Sequence, residues 1–404
     1  MPLRLLGAFG CALFSFACYW SIRLGYADLV ATDRSRVTLE QAIRLAPGNP
    51  EYYVRLAQAD PPSAVSAMEK AAALNPLNSA LWMELSRVAE EQQDFRRAEN
   101  ALLNAVRVDK TFAPRWLLAQ YYFRRRDEAR FWPAMHSAMA ASYDEVEPLF
   151  DDCWALASSP EMILQRAIPD RVDVLGQYLD YVLAKDRLDL AAAVASKLTY
   201  RADRDDVPSL LSYCDRLLED KQVTPALEVW NSLARNGLLD YAALAPEKGL
   251  SLTNGDFDKP FLMRAFDWRL VELPGVSARR VGKGAGLRLS FSGKQPESCE
   301  ILSQYLPVAA GKKYRLGVRY EMSRLDGETG LSWRVLDVSD GSDLLEGTGP
   351  LAGREGAESE QGLAFATLAE TQLVKLVLAY QRVLGTVRIE GEIVIRKVTV
   401  GFAE

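Results

Sequence analysis

Two patterns of apolar side chains divide the chain. From residue 38 to residue 240 they recur at three- and four-residue intervals, the spacing of one face of an α-helix. From residue 250 to residue 404 they alternate with polar side chains, as in half-buried β-strands. The sequence therefore predicts a multidomain α + β protein with four parts: an N-terminal segment (1–37), helical repeats (38–240), a linker (241–249) and a β-sandwich (250–404).

The N-terminal segment contains an uncharged apolar run, Leu5–Ile22, flanked by Arg4 and Arg23. At about 1.5 Å per residue this run reaches ~27 Å, close to the ~30 Å core of a bilayer. Two interpretations are open, a transmembrane signal anchor and a signal peptide cleaved after Ala17. Because apolar character continues beyond Ala17, we expect the anchor. The protein would then bind the membrane through residues 5–22 as a single-pass inner-membrane protein, with the bulk of the chain periplasmic.

The helical part is organised around residues 75–109, where two amphipathic runs meet at Gln92–Asp94 and Asp94 can cap the second run. Similar segments flank it. Three aromatic residues, Tyr53, Trp82 and Trp116, are spaced along the chain in the same way as three alanines, Ala42, Ala71 and Ala105. The spacing from the first to the second residue is equal in the two series, and so is the spacing from the second to the third. Such helix pairs bury their apolar faces by stacking on copies of themselves.

These repeats resemble the tetratricopeptide family, whose period of about 34 residues matches the interval from Trp82 to Trp116. The resemblance covers residues 38–143 and implies an α-solenoid. In the first copy Pro61-Pro62 predicts a shortened second helix, and in the third Trp132-Pro133 replaces a small residue. Looser pairs at 174–198 and 208–234 extend the predicted solenoid to residue 239, where Asn236-Gly237 suits a left-handed helix end.

The family resemblance implies a groove lined by the first helix of each pair, which binds a protein partner. The implied groove residues are Met83, Arg87, Glu90, Leu117, Tyr121, Arg124 and Arg125. The arginines at 124–126 either bind acidic groups of the partner or form a solvated face. For His136, the only histidine, we expect a packed and hydrogen-bonded imidazole.

The C-terminal part predicts about eight strands and therefore a two-sheet antiparallel sandwich. A change of phase between Ile395 and Val398 predicts a bulge at Arg396-Lys397, and the acidic, glycine-rich stretch 339–362 predicts a loop. Predicted inward-facing residues include Trp333, Tyr380 and the pair Val387/Ile389.

This part resembles the galactose-binding-like jelly roll of carbohydrate-binding modules. The resemblance rests on the opening Asn254-Gly-Asp-Phe257 and on Val308-Ala-Ala-Gly311 before the strand at Tyr314. It implies a glycan site, for which Trp268, Gln304 and Arg382 are the candidates. It also implies Asn254, Asp256 and Asp258 as possible calcium ligands, although we expect no metal and no cofactor. The order of domains resembles tetratricopeptide proteins of bacterial envelopes near polysaccharide export and assembly systems.

Composition limits the remaining function classes. A net charge of −6 offers no basic field for nucleic acid, and one histidine with no Cys-x-x-Cys pair excludes the common zinc signatures. We expect the cysteines outside the apolar run to be buried free thiols. No catalytic residues are predicted and the protein is not expected to be an enzyme. Two hypotheses remain, a membrane-anchored scaffold that binds proteins and a carbohydrate-binding protein whose helices form a stalk.

Overall fold

The computed structural model describes residues 2–143, 146–157, 159–282, 286–325, 329–345, 349–353 and 355–403. The chain folds into two compact units, Met1–Val174 and Leu175–Glu404. The predicted boundaries at residues 37, 240 and 249 stay predictions.

The first unit opens with one long helix, α1 (Pro2–Val30), which extends well past the apolar run. Its end packs through Ala27 and then Ala31 against Leu39, Ala42 and Tyr52. No helix in the described part of the chain has both the length and the apolar character needed to cross a membrane. The predicted transmembrane anchor, the membrane contact through residues 5–22 and the single-pass inner-membrane localisation are therefore wrong.

Nine further described α-helices lie within the first unit, and one more crosses its boundary. The nine are α2 (Arg36–Leu45), α3 (Pro50–Ala59), α4 (Ala64–Leu74), α5 (Ser79–Glu91), α6 (Phe95–Val108), α7 (Phe112–Arg125), α8 (Glu128–Ala141), α9 (Glu147–Leu156) and α10 (Pro160–Arg166), and α11 (Val172–Ala184) begins at the end of the unit. Helices α3/α4, α5/α6 and α7/α8 form antiparallel pairs in the order that the repeats predict. At 11 residues, against 14 in α6, α4 is shortened as Pro61-Pro62 predicted.

Small residues hold these pairs together. Ala42, Ala71 and Ala105 are all fully buried, so the helices can approach closely at each repeat. Asp94 caps α6 as predicted, because its carboxylate accepts from the backbone N–H of Arg97 at 3.1 Å. Cys153 is a buried free thiol in this unit, and burial raises its pKa, as expected for a cysteine that acts as a small apolar side chain.

The second unit begins with the rest of α11, followed by α12 (Leu188–Thr199), α13 (Val207–Glu219) and α14 (Val223–Arg235). Gly237 ends α14 at φ +69°, as predicted. The last pair docks on the β-sandwich: the ring of Trp230 lies 5.8 Å from that of Phe266, and Asp215 accepts from the backbone N–H of Ala265. The helices of this unit and its sandwich thus share one packed body.

The sandwich has nine described strands in two antiparallel sheets, as predicted. They are β1 (Arg269–Leu270), β2 (Val276–Arg280), β3 (Leu287–Ser292), β4 (Ser298–Pro307), β5 (Lys313–Ser323), β6 (Leu331–Asp337), β7 (Glu358–Ala366), β8 (Leu373–Gln381) and β9 (Glu390–Phe402). One sheet has the order β1-β4-β8-β6 and the other β2-β3-β9-β5-β7. Trp333 and Tyr380 face the core, which confirms their predicted orientation.

Two local predictions for the sandwich have different outcomes. The bulge is confirmed, because Arg319 pairs with Lys397 while Tyr320 pairs with Ile395, which leaves Arg396 unmatched. The strand predicted at Val387/Ile389 is wrong, since these residues lie in the β8–β9 connection and Val387 is exposed. The predicted loop 339–362 ends earlier than expected, because β7 already begins at Glu358.

The opening motif of the sandwich is a structural closure. The Asn254 side chain bonds the backbone N–H and C=O of Lys259, each at 3.0 Å, and the Asn254 carbonyl accepts from the Trp268 indole. A Cβ on Gly255 would lie 2.2 Å from the carbonyl oxygen of Val398, so only glycine fits beside β9. Phe257 is buried against Trp268.

Candidate functional site

The exposed and half-buried side chains of the first helices α3, α5 and α7 occupy matching positions. Together they form what we call the first-helix stripe: Glu51, Val54 and Gln58 from α3; Ala80, Met83, Arg87 and Glu91 from α5; Ala113, Trp116, Gln120 and Arg124 from α7. Their spacing of three and four residues keeps them on one side of each helix. One row of the stripe is apolar and consists of Val54, Met83 and Trp116.

The repeat that leads from α5 to α7 is one residue shorter than the interval from Trp82 to Trp116. Gln93 and Arg126 both have a left-handed backbone (φ 61° and 54°), and each precedes an aspartate that caps the next helix. The difference arises in the connections: residues 75–78 separate α4 from α5, whereas only residues 109–111 separate α6 from α7. An alignment that matches Trp82 with Trp116 therefore misplaces the residues of α7 by one position.

This shift separates the three aromatic residues that the sequence aligned. The Tyr53 hydroxyl donates to the carbonyl of Pro47 at 3.3 Å, and the Trp82 indole donates to the carbonyl of Pro76 at 2.8 Å, so these two share one environment. Trp116 instead matches Met83. Its side chain is 37% exposed and stacks on Phe112. The predicted equivalence of Trp116 with Trp82 is therefore wrong.

The same shift changes the predicted groove residues of α7. Tyr121 is only 4% exposed and its hydroxyl donates to the Phe95 carbonyl at 2.8 Å, so it cannot line an open groove. Leu117 is half-buried beside the stripe. Sequence reasoning missed Trp116 as an exposed groove residue, although the shorter connection before α7 was a signal for it.

Three of the four charged residues predicted for the groove, Arg87, Glu90 and Arg124, form ion pairs with residues of α5 or α7. Arg124 donates two hydrogen bonds to Glu90, at 2.9 and 2.7 Å, and so links α7 to α5. Arg87 forms ion pairs with Glu84 and Glu91 of its own helix. These pairs leave the apolar row as the uncharged centre of the stripe.

Two other predicted residues lie away from the stripe. The Arg125 guanidinium lies over the Phe95 ring, 3.8 Å from its centroid, at a cleft between α6 and α7. His136 is exposed on α8, so the expected packed imidazole is wrong. Its neighbours Met135, Ala138 and Met139 occupy the buried face of that helix instead.

The sandwich residues predicted to bind glycan do not form one surface. Trp268 is fully buried among core residues, where its indole donates to Asn254, so it offers no face to a sugar. Gln304 is fully buried as well and donates to the carbonyls of Thr253 and Phe266. The predicted glycan-binding roles of Trp268 and Gln304 are therefore wrong, because both side chains hold the opening loop of the sandwich in place.

Arg382 is the only one of the three that reaches open space. It lines a cleft of about 920 Å³ at the β8–β9 connection together with Glu297 and Arg388. Its guanidinium donates to the Glu297 carboxylate at 3.2 Å and to the Thr386 carbonyl at 3.0 Å. The cleft wall is thus charged, and its exposed apolar residue is Val387.

Among the residues that the structure describes, no aromatic side chain lies at the centre of the outer face of the five-stranded sheet. Outward-facing positions of β5 are Arg315, Gly317, Arg319 and Glu321, and their partners in β9 include Lys397, Thr399 and Gly401. Arg315 lies over Gly362 of β7. A sugar that needs an aromatic platform finds none among these residues.

Comparison with solved structures finds both kinds of fold. One similar structure is the carbohydrate-binding module CBM4, 13% identical over 38% of this chain and 100% of that chain, with a TM-score of 0.30. Another is YrrB, a tetratricopeptide protein described as having an unusual peptide-binding site, 12% identical over 49% of this chain and 91% of its own, with a TM-score of 0.23. A third is a CBM6 module from the Cellvibrio mixtus lichenase 5A, 9% identical over 33% and 92%, at a TM-score of 0.23.

Structural neighbours of this chain therefore include tetratricopeptide proteins and carbohydrate-binding modules, the two classes that its sequence resembles. No protein-family model matches the chain, and no curated protein does. At these TM-scores the likeness says nothing about ligands. The fold of each part rests on its own helix pairing and strand order.

No group of three or more His, Cys, Asp or Glu side chains in the described part of the chain has the arrangement of a metal site. The predicted calcium ligand Asn254 uses both ends of its amide on Lys259. Burial raises the pKa of Asp267, which accepts from the Tyr241 hydroxyl and the Leu262 N–H in the junction between α14 and the sandwich. That carboxyl is a packed structural group and does not line an open cleft.

Proposed function

We propose that this protein is a non-enzymatic scaffold that binds a protein partner on the first-helix stripe. The observation that carries this proposal is the apolar row Val54, Met83 and Trp116 on three successive first helices. A partly exposed tryptophan on a rigid helix is a favourable anchor, because it buries a large area at low conformational cost.

The charges around the row support a specific mode of binding. Since Arg87 and Arg124 are already paired with carboxylates of the same face, a partner gains little by adding an acid to them. The partner segment therefore inserts apolar side chains between α5 and α7, and the ion pairs form a polar rim. An extended peptide or an amphipathic helix meets this requirement.

Carbohydrate binding by the sandwich is the second candidate. Its support is reduced to the cleft beside Arg382, since Trp268 and Gln304 are buried. A role in the bacterial envelope, near polysaccharide assembly or export, stays a prediction from the resemblance of domain order. This envelope role does not depend on binding at the first-helix stripe.

The proposal is tested by selecting binding peptides from a random displayed library against the full chain. We expect the selected peptides to carry apolar anchor residues and to lose about tenfold or more in affinity for the Trp116→Ala variant, because a central tryptophan is a typical hot spot. Met83→Ala should weaken the same peptides by a smaller factor. Affinities are measured by isothermal titration calorimetry.

Tyr143→Ala is the matched control. Tyr143 is 95% exposed and lies outside the stripe, so the same loss of an aromatic ring should leave peptide affinity unchanged. Peptides that bind Trp116→Ala as well as the unmodified chain would refute the proposal. Binding on a glycan array that disappears with Arg382→Gln would favour the second candidate instead.

A further inference from the structure

A second surface of the first unit has a different chemistry. Between α6, α7 and the start of α8 lies a cleft of about 340 Å³, which we call the α6–α7 cleft; it is lined by Phe95, Arg96, Glu99, Tyr121, Tyr122, Arg125, Asp127 and Arg130. This volume is at the lower end of the roughly 300–1,000 Å³ of ligand sites, enough for a short segment. Three of these eight residues are arginines and two are acids.

The acids of this cleft do not neutralise all three arginines. Glu99 and Asp127 are its carboxylates, and both bond to Arg130. Glu99 also accepts from the Tyr122 hydroxyl, and burial together with this bond raises the pKa of Tyr122 to about 12. Arg96 and Arg125 are therefore left without an acidic partner among the residues that the structure describes.

Arg125 is held in place although it has no carboxylate within the described part of the chain. Its guanidinium lies 3.8 Å from the centroid of the Phe95 ring, and the Phe95 carbonyl accepts from Tyr121. Stacking on a fixed ring limits the freedom of the arginine but leaves the edge of its fork free to donate. A second guanidinium, that of Arg96, lines the same cleft.

We propose that the α6–α7 cleft binds a short acidic peptide segment, whose carboxylates pair with Arg96 and Arg125. Each guanidinium can donate two parallel hydrogen bonds to a carboxylate, and the tyrosine rings form a floor for the aliphatic part of a glutamate. A net charge of −6 disfavours long polyanions such as nucleic acid, because they would be repelled beyond this local site. This site is separate from the first-helix stripe and does not depend on its function.

The test uses a fluorescently labelled oligoglutamate peptide titrated into the full chain at low ionic strength, with anisotropy as the readout. We expect saturable binding that weakens as salt is added. Arg96→Gln and Arg125→Gln should each reduce affinity by about threefold to tenfold, and together they should abolish binding. Arg125→Lys should give an intermediate loss, because lysine keeps the charge but has no fork.

Arg107→Gln is the control for net charge, since Arg107 is exposed on the same helix, α6, away from the cleft. It should change the affinity by less than about twofold. Trp116→Ala should leave oligoglutamate binding intact, so failure of this proposal and failure of the stripe are distinguishable. Absence of saturable binding, an equal loss with Arg107→Gln, or tighter binding of a single-stranded oligonucleotide of equal charge would overturn the proposal.

Discussion

At the scale of single residues, the motifs that suggested ligand binding serve to close the fold. In the opening loop of the sandwich, the Asn254 side chain accepts from the Lys259 N–H, the Trp268 indole donates to the Asn254 carbonyl, and the Gln304 amide donates to the Thr253 carbonyl. The sequence identified the opening motif of the sandwich but not its structural role. Trp268 lies between two charged residues, Asp267 and Arg269, and this pattern does not show that the tryptophan is buried. Burial of polar side chains depends on tertiary partners that are distant in sequence.

Gly255 offers a direct test of this structural role. Gly255→Ala places a Cβ 2.2 Å from the Val398 carbonyl oxygen, so the loop or β9 must move. We expect a loss of about 2–4 kcal/mol in the free energy of unfolding, measured by urea denaturation with tryptophan fluorescence. Gly401→Ala is the control, since its added Cβ meets nothing within 4 Å, and it should change stability by less than about 0.5 kcal/mol. Equal effects of the two variants would contradict the closure.

At the scale of elements, the helix pairs follow the sequence closely because their apolar spacing and caps are local signals. Asp94 and Asp127 cap α6 and α8 through the same contacts, each accepting from the backbone N–H of the third residue after it. The register of the third repeat could not be read from the alanines, since Ala71 and Ala105 lie before the connection that is shorter by one residue. Aligning the aromatic residues instead therefore places the residues of α7 one position out of register.

The two tryptophans at these positions should differ in their effect on stability. Trp82→Ala removes a hydrogen bond to Pro76 and a packed side chain, and it should cost about 2 kcal/mol or more. Trp116→Ala removes a partly exposed ring stacked on Phe112 and should cost less than about 1 kcal/mol. Urea denaturation followed by far-ultraviolet circular dichroism measures both. Similar costs would restore the alignment of Trp116 with Trp82 and remove Trp116 from the stripe.

At the scale of the whole molecule, the predicted classes of structure are present: helix pairs are followed by a two-sheet sandwich. The prediction that failed was the membrane anchor, which rested on one apolar run read in isolation. In the structure that run belongs to a longer helix, α1, whose end packs on α2 and α3. Described side chains of the run itself, including Leu13, Phe14 and Ile22, are exposed, and packing on the repeats begins at Ala27.

The sharpest test of the scaffold account is hydrogen–deuterium exchange of the full chain with and without a peptide selected for binding to it. Amides in α5 and α7 should exchange more slowly in the complex, because a partner on the first-helix stripe suppresses local opening of these helices. Exchange in β8, β9 and the Arg382 cleft should not change. Slower exchange at that cleft, with α5 and α7 unaffected, would contradict the account.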